Sequence, residues 1–369
     1  MKRFIRRLQS RLGPVLQSDT AFIAAAYLEI LGRPADQDGL NHYRRLLRDG
    51  LGRTAVLLSL LRSEESTRRL PKAPPPPLAD LRARRPDRYR TTVDRTNGET
   101  IPVFDAAVPA DFDWLESAIL DRGYYEQPGV WNFGVDIDKR VVAEIIAAFA
   151  PRRVIELGCA AGAVLECLDA RGIAAEGIEI SSMAIEKAAA NVRSRIHHGD
   201  VLALDLPADY DVVFGLDVFE HLNPNRIGAY LARLCAITRD GGFLYCNIPA
   251  FGEDAVFGTV FPLYIESWER DAAAGRPFST LHVDDLGYPI HGHLTWADAR
   301  WWTARFEAAG FTREVTIERA LHAKYGEYMQ KRSPARRALF VFGKAAADHS
   351  RTPIVRRIRS QPSRVLLHR

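Results

Sequence analysis

The chain has 369 residues, 47% of them apolar and 26% charged, the balance of an ordinary globular protein with room for two domains. No apolar run approaches the roughly 20 residues that a transmembrane helix needs, and no signal-peptide h-region follows the basic start. The formal charge of +4 is uneven and argues against a nucleic-acid binder: residues 1–16 carry five Lys/Arg and no acid, residues 331–369 carry eleven against one acid, Asp348, and the stretch between is near −11.

Residues 1–17 read as a basic amphipathic segment, with Phe4, Leu8, Leu12 and Val15 on one helical stripe. Residues 18–68 read as a small helical module. Its first helix is expected to be capped by Asp19 and to end near Gly32. The second runs from about Asp36 to Asp49 and the third from about Arg53 to Ser63. Residues 71–78 are too rich in proline for a helix or a central strand, so 69–104 is expected to be a Pro/Arg-rich linker.

From 105 to 343 helices and strands alternate. The pattern predicts a helix from Asp138 to Phe149, then strand 152–157, helix 161–170, strand 174–180, helix 182–193, and strands 195–199 and 210–216. Pro224 suits the first turn of a helix that Gly241 closes, and strand 243–248 follows. A capping box from Thr295 to Asp298 opens a helix stopping at Gly310, and strands 311–318 and 337–342 finish the domain. Such alternation predicts an α/β fold with a mostly parallel sheet. Residues 344–369 read as a basic C-terminal tail. Cys159, Cys167, Cys235 and Cys246 have no metal-like spacing and read as reduced thiols of a cytoplasmic protein.

The most informative segment is Val154 to Leu165, a β-branched run, an acidic residue, a glycine-bearing turn and a helical start. Glu156, Gly158, Cys159, Ala160 and Gly162 form the turn. The next strand ends at Glu179 and Ile180, where a carboxylate can accept both ribose hydroxyls of a nucleoside. The third ends at Gly199, Asp200 and Val201, where the aspartate can meet an adenine amino group. The fourth ends in Asp217, Val218, Phe219, Glu220 and His221, on the same carboxyl edge.

These residues resemble the class I S-adenosylmethionine-dependent methyltransferases over roughly residues 112–343. Glu156, Gly158 and Gly162 match the family's acidic-x-Gly-x-Gly-x-Gly motif, with Ala160 at the middle glycine. That methyl argues against a pyrophosphate, which needs the closest backbone approach, and so against an NAD-dependent oxidoreductase. The resemblance implies a Rossmann-like seven-stranded sheet, mostly parallel with the last strand antiparallel. It also implies methyl transfer from S-adenosylmethionine, held by the residues of the four strand ends.

His221 and Glu220 are the catalytic candidates, as a base or as groups that orient an acceptor. No metal is assigned; the alternative is a metal-assisted site of Asp217, Glu220 and His221, completed by His291 or His293. Residues 249–293 read as an acceptor-side insertion, in which Phe257, Tyr264, Trp268, His291 and His293 are the acceptor-binding candidates. Tyr124, Tyr125 and Trp131 are placed to close the cofactor pocket from the other side. The expected acceptor is a glycan or sugar-precursor hydroxyl; the alternatives are a small phenol, lipid or quinone, or an inactive cofactor-binding scaffold.

Tyr27 to Asp36, with Gly39, Leu40, Gly50, Ser63 and Glu64, resemble a bacterial helical domain of unknown function related to phycobilisome linker segments. Such domains accompany enzymes of surface-polysaccharide pathways, which implies a docking role toward a protein partner. The basic ends offer peripheral contact with an anionic membrane.

Overall fold

The computed structural model describes residues 18–31, 34–50, 52–62, 77–127, 133–344, 351–363 and 365–366. The expected amphipathic segment 1–17, Trp131 and most of the polyproline run lie outside these residues. The chain divides into two units, Met1–Pro75 and Pro76–Arg369.

In the first unit α1 (Asp19–Leu31), α2 (Gln37–Arg48) and α3 (Arg53–Arg62) enclose a small core of Phe22, Ile23, Ala26, Tyr27, Tyr43, Val56, Leu57 and Leu60. Asp36 caps α2, accepting from the Gly39 amide at 2.7 Å. For α1 the cap is Ser18, whose hydroxyl accepts from Ala21, and Asp19 is instead the first helical residue.

The second unit begins inside the expected linker. Strands β1 (Tyr89–Val93) and β2 (Thr100–Asp105) form an antiparallel hairpin followed by α4 (Pro109–Asp121). Next come α5 (Ile137–Ala148), β3 (Val154–Leu157), α6 (Ala163–Asp169), β4 (Ala175–Glu179), α7 (Ser182–Glu186), α8 (Ala190–Arg193), β5 (Ile196–His198) and β6 (Tyr210–Leu216). Asp136, not Asp138, caps α5. The chain continues through α9 (Ile227–Ile237), β7 (Thr238–Asn247), β8 (Ala250–Phe251), α10 (Glu266–Ala273), β9 (Thr280–His282), β10 (Ala297–Asp298), α11 (Ala299–Ala308) and β11 (Phe311–Arg313). It closes with α12 (Val315–Arg332), β12 (Leu339–Lys344) and α13 (Arg351–Ser360). The cap of α11 is Asp298, which accepts from Trp301 at 2.7 Å, so Thr295 does not open the helix.

Seven strands form one sheet in the order β11-β12-β7-β6-β3-β4-β5. From β7 to β5 every pair is parallel; β12 runs antiparallel to both of its neighbours. The strand order reverses between β3 and β6, the place where an open α/β sheet leaves a crevice at its carboxyl edge. Strands β3 and β6 and the second half of β7 are buried on both sides, as their near-continuous apolar sequences require.

Two expectations are overturned at the C-terminal end. Val315 to Ile317, read as strand, begins the 18-residue helix α12, whose Ile317, Ala320, Leu321, Tyr325 and Met329 are buried at helical spacing. The expected tail contains α13, with Ile354, Val355 and Ile358 buried in the same core as α5 and α12. Arg351 forks onto Glu314 at 2.6 Å, and Arg357 donates to the Ala148 carbonyl at 2.7 Å. The apolar face of α13 is spent on the protein itself.

A second layer lies against the sheet's carboxyl side. β2 pairs with β9, so the hairpin from the expected linker joins the insertion 249–293. Leu81, Val103, Phe104, Phe112, Leu115, Phe251, Trp268, Phe278, Leu281, Tyr288 and Trp296 make a separate core there. The physical reason for the displaced boundary is mutual: neither half of that aromatic layer could bury its face alone.

Candidate active site

A cavity of about 840 Å³ opens at the carboxyl ends of β3, β4 and β6, within the size range of small-molecule sites. Glu156, Gly158, Cys159, Ala160, Glu179, Ile180, Asp200, Val201, Asp217 and Val218 line it; of the cofactor residues picked from the sequence, Gly162 alone is set back. The turn after β3 is tightly made. Gly158 has φ +67°, and a Cβ there would stand 2.7 Å from Val218 Cγ2, so only glycine fits. Ala160 has φ +48°, a left-handed conformation that costs a non-glycine residue roughly 1–2 kcal/mol. Asp217 and His291, both on the cavity wall, also have positive φ. Three strained residues on one cavity is the pattern expected of a working site.

Glu179 is nearly buried. Its carboxylate accepts from the Ala160 amide at 2.9 Å and from the Ser181 amide at 2.8 Å. Those bonds fix the turn against β4 and leave lone pairs for the ribose hydroxyls. Asp200 accepts from the Leu202 amide at 2.9 Å and the Tyr230 hydroxyl at 2.9 Å, which holds it at the cavity rim. Glu156 has one carboxylate oxygen with no partner among the described residues. Burial, then the charge of Glu179, push its carboxyl up to about 8. An oxygen kept open in that position suits the cationic amino-acid end of the cofactor. The glycine turn and this open carboxylate both fit S-adenosylmethionine.

Asp217 does not join the predicted catalytic cluster. It forms a 2.6 Å ion pair with Arg336, from the turn between α12 and β12. Sequence reasoning missed Arg336 and also Lys139, which lines the cavity while paired with Asp136 at 2.7 Å. Neither lies in a recognisable motif; they reach the site through the docking of α5 and α12.

Glu220, His221 and His293 are brought together. The Glu220 carbonyl accepts from the Leu294 and Thr295 amides, both at 2.8 Å, and Thr295 Oγ1 donates to the Leu222 carbonyl at 2.6 Å. These bonds dock the end of the insertion onto the strand end and turn His293 beside His221. The two rings stand perpendicular with centroids 4.7 Å apart. The Tyr125 hydroxyl lies 3.1 Å from His221 Nδ1. Tyr125 is held by its own carbonyl, which accepts from Ser181 Oγ, and by Glu126, which accepts from the Ser182 and Met183 amides.

Burial lowers His221 to about 4, and burial with the neighbouring histidines takes His293 well below its ordinary value. Both imidazoles are therefore neutral at pH 7, with lone pairs available. Burial and the Asp217 charge push Glu220 well above the usual carboxylate range.

The expected acceptor residues divide. His291 and His293 line the cavity, and so does Phe261, which the sequence reading did not choose. Phe257, Tyr264 and Trp268 do not. Phe257 packs on Phe340, and Trp268 stacks on Phe278 while its indole donates to the Thr280 carbonyl at 2.7 Å. Tyr264 packs edge-on against Trp268. Trp268 and Tyr264 belong to the core of the second layer and Phe257 to the core under the sheet, so none of them is on the working face.

Residues 136–314 match the family model described as a methyltransferase domain, and residues 8–70 match a domain of unknown function (DUF4214). A ubiquinone biosynthesis O-methyltransferase from Nitrosomonas europaea is 30% identical over 112 residues, 28% of this chain and 46% of that protein. The chain thus spans about half the length of this curated relative. A 1,6-didemethyltoxoflavin-N1-methyltransferase from Burkholderia thailandensis is 17% identical with a TM-score of 0.41, covering 67% of this chain and 96% of that one. An amino pentose methyltransferase from Micromonospora echinaspora is 21% identical with a TM-score of 0.39, over 62% and 97%. Over residues 136–314 the α/β body is similar to methyltransferase domains, and the glycine turn and open carboxylate of its cavity fit S-adenosylmethionine.

Proposed function

We propose that the protein O-methylates a hydroxyl of a glycan or sugar precursor. The observation that carries this reading is the corner of Glu220, His221 and His293, which opens on the cavity beside the cofactor turn. When bound, S-adenosylmethionine supplies an electrophilic methyl on a sulfonium sulfur. The chain's own work is to hold the acceptor oxygen in line with that methyl and to take care of its proton. Orientation of this kind is worth roughly 7–11 kcal/mol of barrier. A corner of neutral imidazoles and a buried carboxylate suits a hydroxyl, which must lose a proton to become a good nucleophile. The wall around it alternates rings (Tyr124, Tyr125, Phe261) with polar side chains (Glu116, Arg226, His291), a mixture suited to the apolar face and hydroxyl rim of a sugar.

A phenolic quinone precursor is the second reading, favoured by the ubiquinone-pathway relative. Both readings call for O-methylation. The front module supports the glycan acceptor through the domains it resembles. Its three short helices, with no catalytic cluster among the described residues, suit docking to a protein partner. The four buried free cysteines suit a reducing compartment.

The test is direct. Purified protein receives S-adenosylmethionine labelled in the methyl group, together with sugar nucleotides, surface glycans or a catechol-type phenol, and the products are analysed by mass spectrometry. Label in an O-methyl sugar supports the first reading, and label in the phenol supports the second. Label on nitrogen or carbon overturns both.

A further inference from the structure

Glu220 is 1% exposed, and neither of its carboxylate oxygens has a hydrogen-bond partner among the described residues. The nearest cationic candidate, His293 Nε2, stands 3.8 Å from Oε1, too far for a hydrogen bond. A buried carboxylate left in this condition is expensive. The same domain shows that it can satisfy such groups: Asp254 and Glu318 share the Arg313 guanidinium.

The empty lone pairs face a particular set of neighbours. One carboxylate oxygen of Glu220 and one ring nitrogen each of His221 and His293 lie within 4.8 Å of one another. Two nitrogens and one oxygen form the donor set of many divalent transition-ion sites. Ligands about 2.1 Å from a shared ion and on one side of it stand about 3.0–3.5 Å apart; the Glu220–His293 pair at 3.8 Å is already near that spacing, and no pair would have to draw in by more than about 2 Å. All three come from segments already fixed by the main chain, and the Tyr125 hydroxyl holds the His221 ring through Nδ1. All three residues line the cavity, Glu220 being the most deeply buried of them, so three ligands from one wall leave coordination positions open toward the cavity.

We propose that Glu220, His221 and His293 bind one divalent first-row transition ion, and that this ion holds the acceptor hydroxyl next to the cofactor. The inference rests on the O-methylation reading for its purpose, though not for its existence. The ion supplies positive charge against which the hydroxyl gives up its proton to solvent. The oxygen's lone pair then forms the new O–CH3 bond, and the S–CH3 bond breaks with its electron pair left on sulfur. Nothing is oxidised or reduced. The acceptor is thereby restricted to oxygen groups that reach the ion, a vicinal diol of a sugar or a catechol above all.

The experiment uses the full chain, stripped with chelator and dialysed. Co²⁺, Mn²⁺ and Zn²⁺ are titrated separately by calorimetry, and Co²⁺ is also followed by its visible absorption. One ion per chain is expected, with a Co²⁺ spectrum showing nitrogen and oxygen ligands. Glu220→Gln and His293→Gln should each weaken binding by at least about 100-fold, more than the loss of an outer-shell partner. His42→Gln, an exposed histidine that does not line the cavity, should leave the Co²⁺ spectrum unchanged. S-adenosylmethionine affinity within about twofold of the parent certifies that each variant is folded. No one-to-one binding of any of the three ions overturns the proposal, and so does binding that survives both ligand substitutions. Methyl transfer to a hydroxyl by ion-free protein keeps the O-methylation reading and removes the ion. Stoichiometric ion binding without transfer to any hydroxyl acceptor keeps the ion and removes that reading.

Discussion

Asp254 and Glu318 are about as buried as Glu156 and Glu220, at 9% and 0% exposure against 4% and 1%, yet the two pairs live in opposite surroundings. Arg313 forks onto the first pair, donating to Asp254 at 2.7 and 3.0 Å and to Glu318 at 3.1 and 2.9 Å. The Val256 and Val341 amides add bonds of 2.8 and 2.9 Å. Glu156 keeps one oxygen open, and Glu220 keeps both. A buried carboxylate with filled lone pairs ties β11 to α12 and to the loop after β8. One with open lone pairs is a cost that protonation or a ligand must offset. Of these four carboxylates, the saturated pair holds structure and the unsaturated pair lines the site.

The largest effect is predicted on the saturated side. Arg313→Met strands two buried carboxylates at once, and urea unfolding should show a loss of about 3–5 kcal/mol. A loss below about 1 kcal/mol would mean that the network is decorative and the comparison is void. Glu179 stands between the two classes, with two amides satisfied and lone pairs left for a ligand. Glu179→Ala should weaken S-adenosylmethionine binding by at least about 100-fold, the equivalent of two lost charge-assisted hydrogen bonds. Calorimetry showing less than tenfold would assign this carboxylate to the turn alone.

Glu156 gives a pH signature. Its folded value of about 8 lies above the ordinary 4.5, so between these limits the folded chain holds a proton that the unfolded chain has released. The resulting stability is full below 4.5 and is lost as pH rises through 8. A cationic cofactor lowers the folded value, so binding at pH 7 should release up to one proton. Affinity should then climb by as much as about tenfold per pH unit toward pH 8. The check is the binding heat in two buffers of different ionisation enthalpy, with Glu156→Gln as the control. Equal heats for the parent would remove Glu156 from contact with the cofactor.

The donor half of the site was legible in the sequence because its chemistry is local. Strand, acidic residue, glycine turn and helix are consecutive from Val154 to Ala163, and Glu179 and Asp200 end the next two strands. The second layer was not legible, since β2 meets β9 through pairs such as Asp105 with Thr280, and no local pattern announces so distant a partner. Composition marked the insertion as aromatic but could not tell the buried Trp268 from Phe261 on the wall. In α12 the helical stripe was present, but Val315, Thr316 and Ile317 lead with strand-forming residues, and packing on α5 and α13 overrides them. The choice between His291 and His293 turns on one backbone angle. At φ +57° His291 reverses the chain, and the next residue but one meets Glu220.

The smallest predicted effect is the sharpest test of the comparison. Glu220→Gln keeps the shape of a side chain that bonds to nothing, so in chelator-treated protein at pH 7 its unfolding free energy should fall within about 0.5 kcal/mol of the parent. Arg313→Met, in an equally buried place, loses several times that. Zinc at one equivalent should then separate the two proteins, because an ion bound only by the folded state stabilises the parent through mass action and leaves Glu220→Gln where it was. If Glu220→Gln is instead strongly destabilised without any ion, Glu220 has a structural partner after all. The division between saturated and waiting carboxylates then fails at the residue on which it most depends.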